Sequence, residues 1–224
     1  IENGVAVGFG FPNRTGYIIG KRLFNHKDLI KIEVLFKRLS WRSALKRRVK
    51  WRFLVNFAGW ISSLVIRFFL AIKGKSVSRV KYTWVSTFDE SINLFWEKVK
   101  DQYTIMVKRD FIYLNWRYCR KPDNTYHILR AELDGSIVGL VIVKYEDYKD
   151  ARIGFIMESL AIKDSPVIDS LLKRGLMFLS RNKVDFVLAR VSSSDPVKRA
   201  FYKKGFSQKE DVWNSHIVYV RYSS

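Results

Sequence analysis

The sequence predicts an α/β (α+β) fold: helices on both faces of a mixed, mostly antiparallel central sheet that contains one splayed pair of parallel strands. Two observations predict it. Asp134-Gly135 is a tight-turn pair that joins two apolar runs as an antiparallel hairpin. Downstream, two apolar strands, a helix, a third strand and a short helix lead to Phe201-Tyr202-Lys203-Lys204-Gly205-Phe206. That order builds a V-shaped opening between neighbouring parallel strands, with a helix N-terminus at its mouth, a shape suited to a phosphate-bearing acyl carrier.

The elements follow in chain order. Val5 to Phe11 is an apolar run stopped by Pro12-Asn13, and Asn13 is placed to cap a helix reaching Phe24. Ile30, Ile32, Val34 and Phe36 alternate with Lys31, Glu33, Leu35 and Lys37, the period-two pattern of a half-buried strand. Three such elements are too few for an independent core, so residues 1–36 read as the closing remnant of a first unit. The same order recurs late: Val184 to Val191 as strand, a helix capped by Asp195 and closed by Gly205-Phe206, then Ile217 to Tyr222 as strand. Asn13 to Phe24 and Asp195 to Phe206 are equal spans, which suggests a duplicated unit.

Residues 37–85 read as a basic and apolar connector. No acidic residue lies between Glu33 and Asp89, whereas lysine and arginine recur from Lys37 to Lys81. Within this stretch Phe53 to Ile72 is nearly all apolar, but Asn56, Ser62, Ser63 and Arg67 dilute it as a membrane span. Three readings stay open: connector helices packed on their neighbours, an interfacial helix holding residues 37–81 on an anionic membrane surface, or a true span.

A further domain, 86–224, opens near Ser86. Thr87 and Glu90 have capping-box spacing, and Ile92, Phe95, Trp96 and Val99 share one face of the following helix. A second amphipathic helix runs from Arg109 to Tyr118. The hairpin strands are Tyr126 to Leu133 and Ser136 to Tyr145; Ala151 to Ile162 is the next strand and Pro166 to Arg181 the next helix, with Ser165 as N-cap.

Bulk composition narrows the function classes. The 224 residues allow a sizeable core, and the single Cys119 excludes a disulfide framework and fits a reducing, cytoplasmic setting. His26, His127 and His216 are scattered, so no metal centre is expected. The first residue is Ile1 rather than Met, and upstream sequence is expected. The net charge of +20 invites a nucleic-acid reading, with Trp41 and Trp51 bracketing basic residues, but the adjoining apolar run makes lipid the better partner.

The succession over residues 86–222 resembles the GNAT superfamily of acyl-CoA-dependent N-acyltransferases. Arg109-Asp110, Leu114-Asn115-Trp116-Arg117-Tyr118, Pro122 and Tyr126 resemble the later half of tandem-GNAT proteins, and Gly10-Phe11-Pro12-Asn13 resembles the close of their first half. The resemblance implies acetyl-CoA or another acyl-CoA as co-substrate and an amine acceptor on a small molecule or cell-envelope or polysaccharide precursor. It implies that Leu160, Ala161 and Ile162 face the pantetheine, and that Ser165, Val167 and Ile168 offer amides and a hydroxyl to the diphosphate at a helix N-terminus. The phosphate loop departs from the family: Asp164-Ser165-Pro166 holds no glycine. Where many members carry a tyrosine general acid this chain has Phe201, against the carrier, with Tyr202 one step along.

Glu158 is the only acidic residue within the apolar run Ile153 to Ile162 and shares alternation with Ile156, Leu160 and Ile162. It is expected either as general base or as partner of Arg152, Arg190 or Arg117. Arg117 and Tyr126 are the expected acceptor contacts. The competing function is a catalytically degenerate fold that binds a membrane surface or a partner.

Overall fold

A computed structural model of the chain describes residues 7–10, 12–40, 79–120, 126–163, 165–209 and 216–221. Its elements are β1 (Val7–Gly10), α1 (Arg14–Leu23), β2 (Lys27–Arg38), β3 (Val80–Val85), α2 (Ser91–Val99), α3 (Phe111–Tyr118), β4 (His127–Leu133) and β5 (Ser136–Tyr148). They continue with β6 (Ala151–Ala161), α4 (Val167–Arg181), β7 (Phe186–Ser192), α5 (Lys198–Lys203), β8 (Ser207–Gln208) and β9 (His216–Arg221). Of the connector expected over residues 37–85, residues 41–78 lie outside the described residues, and its ends are strand: Lys37 and Arg38 close β2, and Val80–Val85 form β3. Among the described residues no helix is long and apolar enough to cross a membrane.

The strands form one sheet in the order β1-β9-β2-β7-β6-β5-β4-β3, with β8 paired to β2. Every pairing is antiparallel except β6 with β7. The central hairpin turns on Asp134 and Gly135, whose φ values of 48° and 78° are those a two-residue turn of this hand requires. β2 inserts between β9 and β7, so the first described elements complete the same sheet as the later ones. β3 extends the opposite edge against β4, ahead of the domain start expected near Ser86.

Local chemistry sets the helix starts. Asn13 Oδ1 accepts from Gly16 N at 2.7 Å, and Asp110 Oδ1 accepts from Tyr113 N at 2.8 Å. At α2 the expected Thr87/Glu90 capping box is replaced by Asp89, whose Oδ1 accepts from Ser91 N at 3.0 Å; Glu90 makes no side-chain cap. At α4 the Ser165 hydroxyl accepts from Val167 N at 3.3 Å while Pro166 occupies the cap position.

Two apolar clusters cover the two faces of the sheet. One gathers Val141, Val143, Ile156, Leu171, Leu176 and Phe201 beneath α4 and α5. The other gathers Ile92, Phe95, Leu114, Ile142, Leu140 and Leu160 beneath α2 and α3. Gly139 lets α4 sit close to β5: a Cβ there would stand 2.8 Å from Leu171 Cδ1 and 3.1 Å from the Leu160 carbonyl oxygen. Because one of those neighbours is backbone, Gly139→Ala is expected to cost about 1–3 kcal/mol of stability, read as a lower denaturant midpoint with an unchanged slope.

Candidate functional site

The parallel ladder is short. β6 and β7 pair only from Ile153 with Phe186 to Ile156 with Ala189. Beyond that point β6 stays bonded to β5 as far as Gly139 opposite Ala161, and β7 stays bonded to β2 as far as Ile32 opposite Ser192. Each strand is thus held on its outer edge while the inner edges part. A cavity of about 690 Å³ lies at the opening, walled by residues of β2, β6, β7, the segment between α2 and α3, and Phe201.

A bulge accompanies the parting. Ile142 faces Glu158 and the next partner pair is Val143 with Ile156, so Met157 is an extra residue in β6. The extra residue shifts the side-chain alternation. Ile156 packs with Val143 in the cluster under α4, whereas Leu160 packs with Leu140 and Ile142 under α2 and α3. The alternation expected of Ile156, Glu158 and Leu160 therefore breaks after Ile156: Glu158, opposite Ile142, shares the face of Leu160 only.

Glu158 is 7% exposed and closely held. Its Oε1 accepts from the Tyr118 hydroxyl at 2.7 Å, and Arg109 Nε lies 2.9 Å from the same oxygen, an ion pair without hydrogen-bond alignment. Arg109 stacks its guanidinium on the Tyr113 ring at 4.9 Å. The ion-pair partner is Arg109, not the expected Arg152, Arg190 or Arg117. Arg152 instead binds Asp147 at 2.7 Å, and Arg117 acts one step back, donating from Nε to the Tyr118 hydroxyl at 3.0 Å.

A second carboxylate, Asp195, lines the same cavity. Its Oδ1 accepts from Val197 N at 3.0 Å, so it caps the turn before α5 as the sequence suggested. Burial, and secondarily the charge of Glu158, push its pKa up to about 6, against the lowering pull of Val197 N and Lys198. Tyr103 faces the cavity too. Its hydroxyl is buried without a hydrogen-bond partner among the described residues, and burial, then the fields of Asp195 and Glu158, hold it firmly in the neutral form.

The other expected site residues divide. Leu160 and Ala161 are buried in the part of β6 beyond the parallel ladder. The Ile162 amide is engaged by the Val138 carbonyl at 3.1 Å. Ser165, Val167 and Ile168 stand at the start of α4, near Asp169, which Lys204 and Lys203 approach at 3.5 and 3.7 Å. Phe201 is fully buried, lines the cavity and meets Phe206 edge-on at 5.1 Å. Tyr202 is 41% exposed and stands outside the cavity lining. Arg117 and Tyr126 also stand outside it, around Tyr118, whose ring meets Tyr126 edge-on at 4.9 Å. Among the described residues no three histidine, cysteine or acidic side chains converge as a metal site.

The sequence reading missed Tyr103 and gave Arg109 and Asp195 no part in the site. Asp195 offered one signal, a carboxylate at the end of an apolar strand, and capping absorbed it.

No family model and no curated protein sequence matches this chain. Solved structures do. A conserved protein of unknown function from Enterococcus faecalis V583 superposes with a TM-score of 0.62 at 12% identity, over 97% of this chain and 45% of that one. A GCN5-related N-acetyltransferase from Anabaena variabilis ATCC 29413 gives 0.56 at 13% identity, over 97% and 46%. A GCN5-related N-acetyltransferase from Kribbella flavida gives 0.53 at 6% identity, over 97% and 68%. The chain has the GCN5-related N-acetyltransferase fold, and it spans less than half the length of the first two of these proteins.

Removing Arg109 leaves the buried Glu158 without its cation, so Arg109→Leu is expected to cost about 3–5 kcal/mol. The double variant Arg109→Leu/Glu158→Leu should recover a substantial part of that loss in a urea titration. Asp195 gives a pH-dependent counterpart. Its folded pKa of about 6 lies above the ordinary value of 3.8, so the native state binds its proton more tightly and loses stability as pH rises between those values. Asparagine keeps the capping oxygen without the charge. Asp195→Asn should therefore raise the melting temperature at pH 8 and change it little at pH 4.

Proposed function

We propose that the protein is an acyl-CoA-dependent N-acyltransferase. The observation that carries the reading is the early end of the β6–β7 ladder, which opens a wedge beside a cavity holding two carboxylates. In this reading pantetheine lies along the inner edge of β6 at Leu160, Ala161 and Ile162, where no parallel strand takes up the backbone. The diphosphate rests at the start of α4 on Ser165 and the amides of Val167 and Ile168. Lys173, Lys203 and Lys204 supply positive charge that the glycine-free loop does not. Phe201 packs against the reacting end of the carrier. Glu158, fixed by Arg109 and Tyr118, orients the amine acceptor, which belongs to a small molecule or a cell-envelope precursor.

The interleaved order β1-β9-β2-β7 supports reading residues 1–36 as the close of a first GNAT-like half. The β1–α1–β2 step and the β7–α5–β9 step exchange their last strands, as two copies of one unit would. A place on the inner face of the membrane rests on the basic composition of residues 37–81 alone.

A second reading, a degenerate fold that binds without catalysis, has its own observation. Phe201 is sealed in the core and Tyr202 points away, so no tyrosine of α5 reaches the cavity.

Thermal unfolding with acetyl-CoA and longer acyl-CoAs separates the two. At a hundredfold excess over the dissociation constant a bound carrier stabilises the fold by about 2.7 kcal/mol. Stabilisation with thiol release on adding amines supports the transferase; stabilisation by none of the acyl-CoAs removes it.

A further inference from the structure

Resting on the transferase reading, we propose that the cavity receives a primary amine carried on an apolar body and that Asp195, from the loop between β7 and α5, removes the ammonium proton. The walls give the acceptor class. Leu29, Ile32, Ile105, Met106, Val107 and Met157 line the cavity, a surface that solvates an aryl or alkyl group and offers little to a polyhydroxylated sugar.

The charges give the proton acceptor. Glu158 on β6 and Lys198 on α5 act on Asp195 through their charges, and Tyr103 between α2 and α3 feels its field; Arg109 of the same segment and Arg190 on β7 line the same cavity. Glu158 and Arg109 neutralise each other at 2.9 Å, and Glu158 spends further lone-pair capacity on Tyr118. Lys198 is drawn to Glu33 on β2, its Nζ 2.6 Å from the carboxylate, and Arg190 is exposed. The Asp195 carboxylate accepts one hydrogen bond, from the Val197 amide, and no cation of the described residues lies within ion-pair distance of it. One unneutralised carboxylate in an apolar cavity matches one ammonium. The Tyr103 hydroxyl, buried and unpartnered beside it, supplies a further hydrogen bond to the bound nitrogen and needs no rearrangement to do so.

The step balances without a further reactant. Asp195 takes one proton from R–NH₃⁺. The freed lone pair attacks the thioester carbonyl, the C–N bond forms, the C–S bond breaks, and the second proton shed by nitrogen leaves with the thiolate as thiol. Asp195 then returns its proton to water. Its pKa of about 6 keeps it ionised at neutral pH while making it a stronger base than an ordinary aspartate.

The test uses the full chain with acetyl-CoA as donor and phenethylamine or glucosamine as acceptor, following thiol release from pH 5 to 9. Phenethylamine should be acylated with kcat/KM at least tenfold above glucosamine, and the profile should include an ascending limb near pH 6. Asp195→Asn and Asp195→Ser both retain a capping oxygen, which an unfolding curve verifies. Each should lower kcat/KM by about 10²–10⁴-fold and lose that limb, with acetyl-CoA stabilisation unchanged. A folded Asp195→Asn enzyme with the wild-type rate and profile, or a preference for glucosamine, overturns the proposal. Should acetyl-CoA fail to bind at all, the transferase reading falls separately. Phenethylamine alone would then have to raise the melting temperature of the wild type and not of Asp195→Asn; no such difference overturns the amine site as well.

Discussion

The point where β6 releases β7 governs the rest of the molecule. A parallel pair continued to the ends of both strands would satisfy every inner-edge amide and carbonyl and leave no cavity. Here the pairing stops after Ile156 and Ala189, at the point where Met157 adds a residue to β6. The cost of parting is limited because each strand keeps its outer ladder, β6 on β5 and β7 on β2. The wedge therefore belongs to the folded sheet and does not depend on a loop moving aside. Its inner edges still carry backbone groups that favour a partner, which is the physical reason such an opening takes up an extended ligand.

The same extra residue decides where charge goes. Without it, Glu158 would share the face of Ile156 and point into the aliphatic cluster under α4. Shifted by one, it meets Tyr118 and Arg109 on the other face. Burying such a pair costs desolvation that its mutual attraction only partly offsets, so the pair is weak evidence for stability. An apolar pair of similar volume would fill that space as well. What the connected set of Glu158, Arg109, Tyr118 and Arg117 does do is fix the position of a carboxylate at the cavity wall.

What the sequence made legible was local. The Asp134-Gly135 turn and the caps at Asn13 and Asp195 depend on neighbours within a few residues, and all are found in the structure. The alternation read in β2 is not kept: Glu33, Val34 and Leu35 are buried in succession, because the strand is covered on both faces there. What it hid was non-local. That β2 inserts between β9 and β7 depends on pairing across the whole chain. The Met157 bulge exists only relative to β5, so alternation read within β6 alone placed Glu158 beside Ile156. Arg109 reaches Glu158 from a separate segment, whereas the sequence had offered Arg152, Arg190 or Arg117. Asp195 shows the limit most plainly. Its cap on Val197 is a contact two residues away and was foreseen, but the burial that raises its pKa, and the charge of Glu158 on β6 that adds to it, come from outside its own turn.

Charge acts on two length scales in this protein, with opposite sign. The net +20 sets up a positive field that draws anions from a distance. Beside Asp195 the sign reverses: Arg109 is paired with Glu158, Arg190 on the same wall is exposed, Lys198 is drawn to Glu33, and Asp195 keeps no ion-pair partner among the described residues. At physiological salt exposed charges are screened beyond about 8 Å, so the outer basic residues weigh little on a group inside the cavity. The outer field favours an anionic carrier during encounter and the inner one favours a cation once desolvated. A diphosphate at the start of α4 and an ammonium beside Asp195 would then be selected by separate parts of one charge distribution, each at the range over which it operates. The raised pKa of Asp195 comes first from burial and then from the charge of Glu158, so above about pH 6 the fold holds a carboxylate where an uncharged side chain would be more stable.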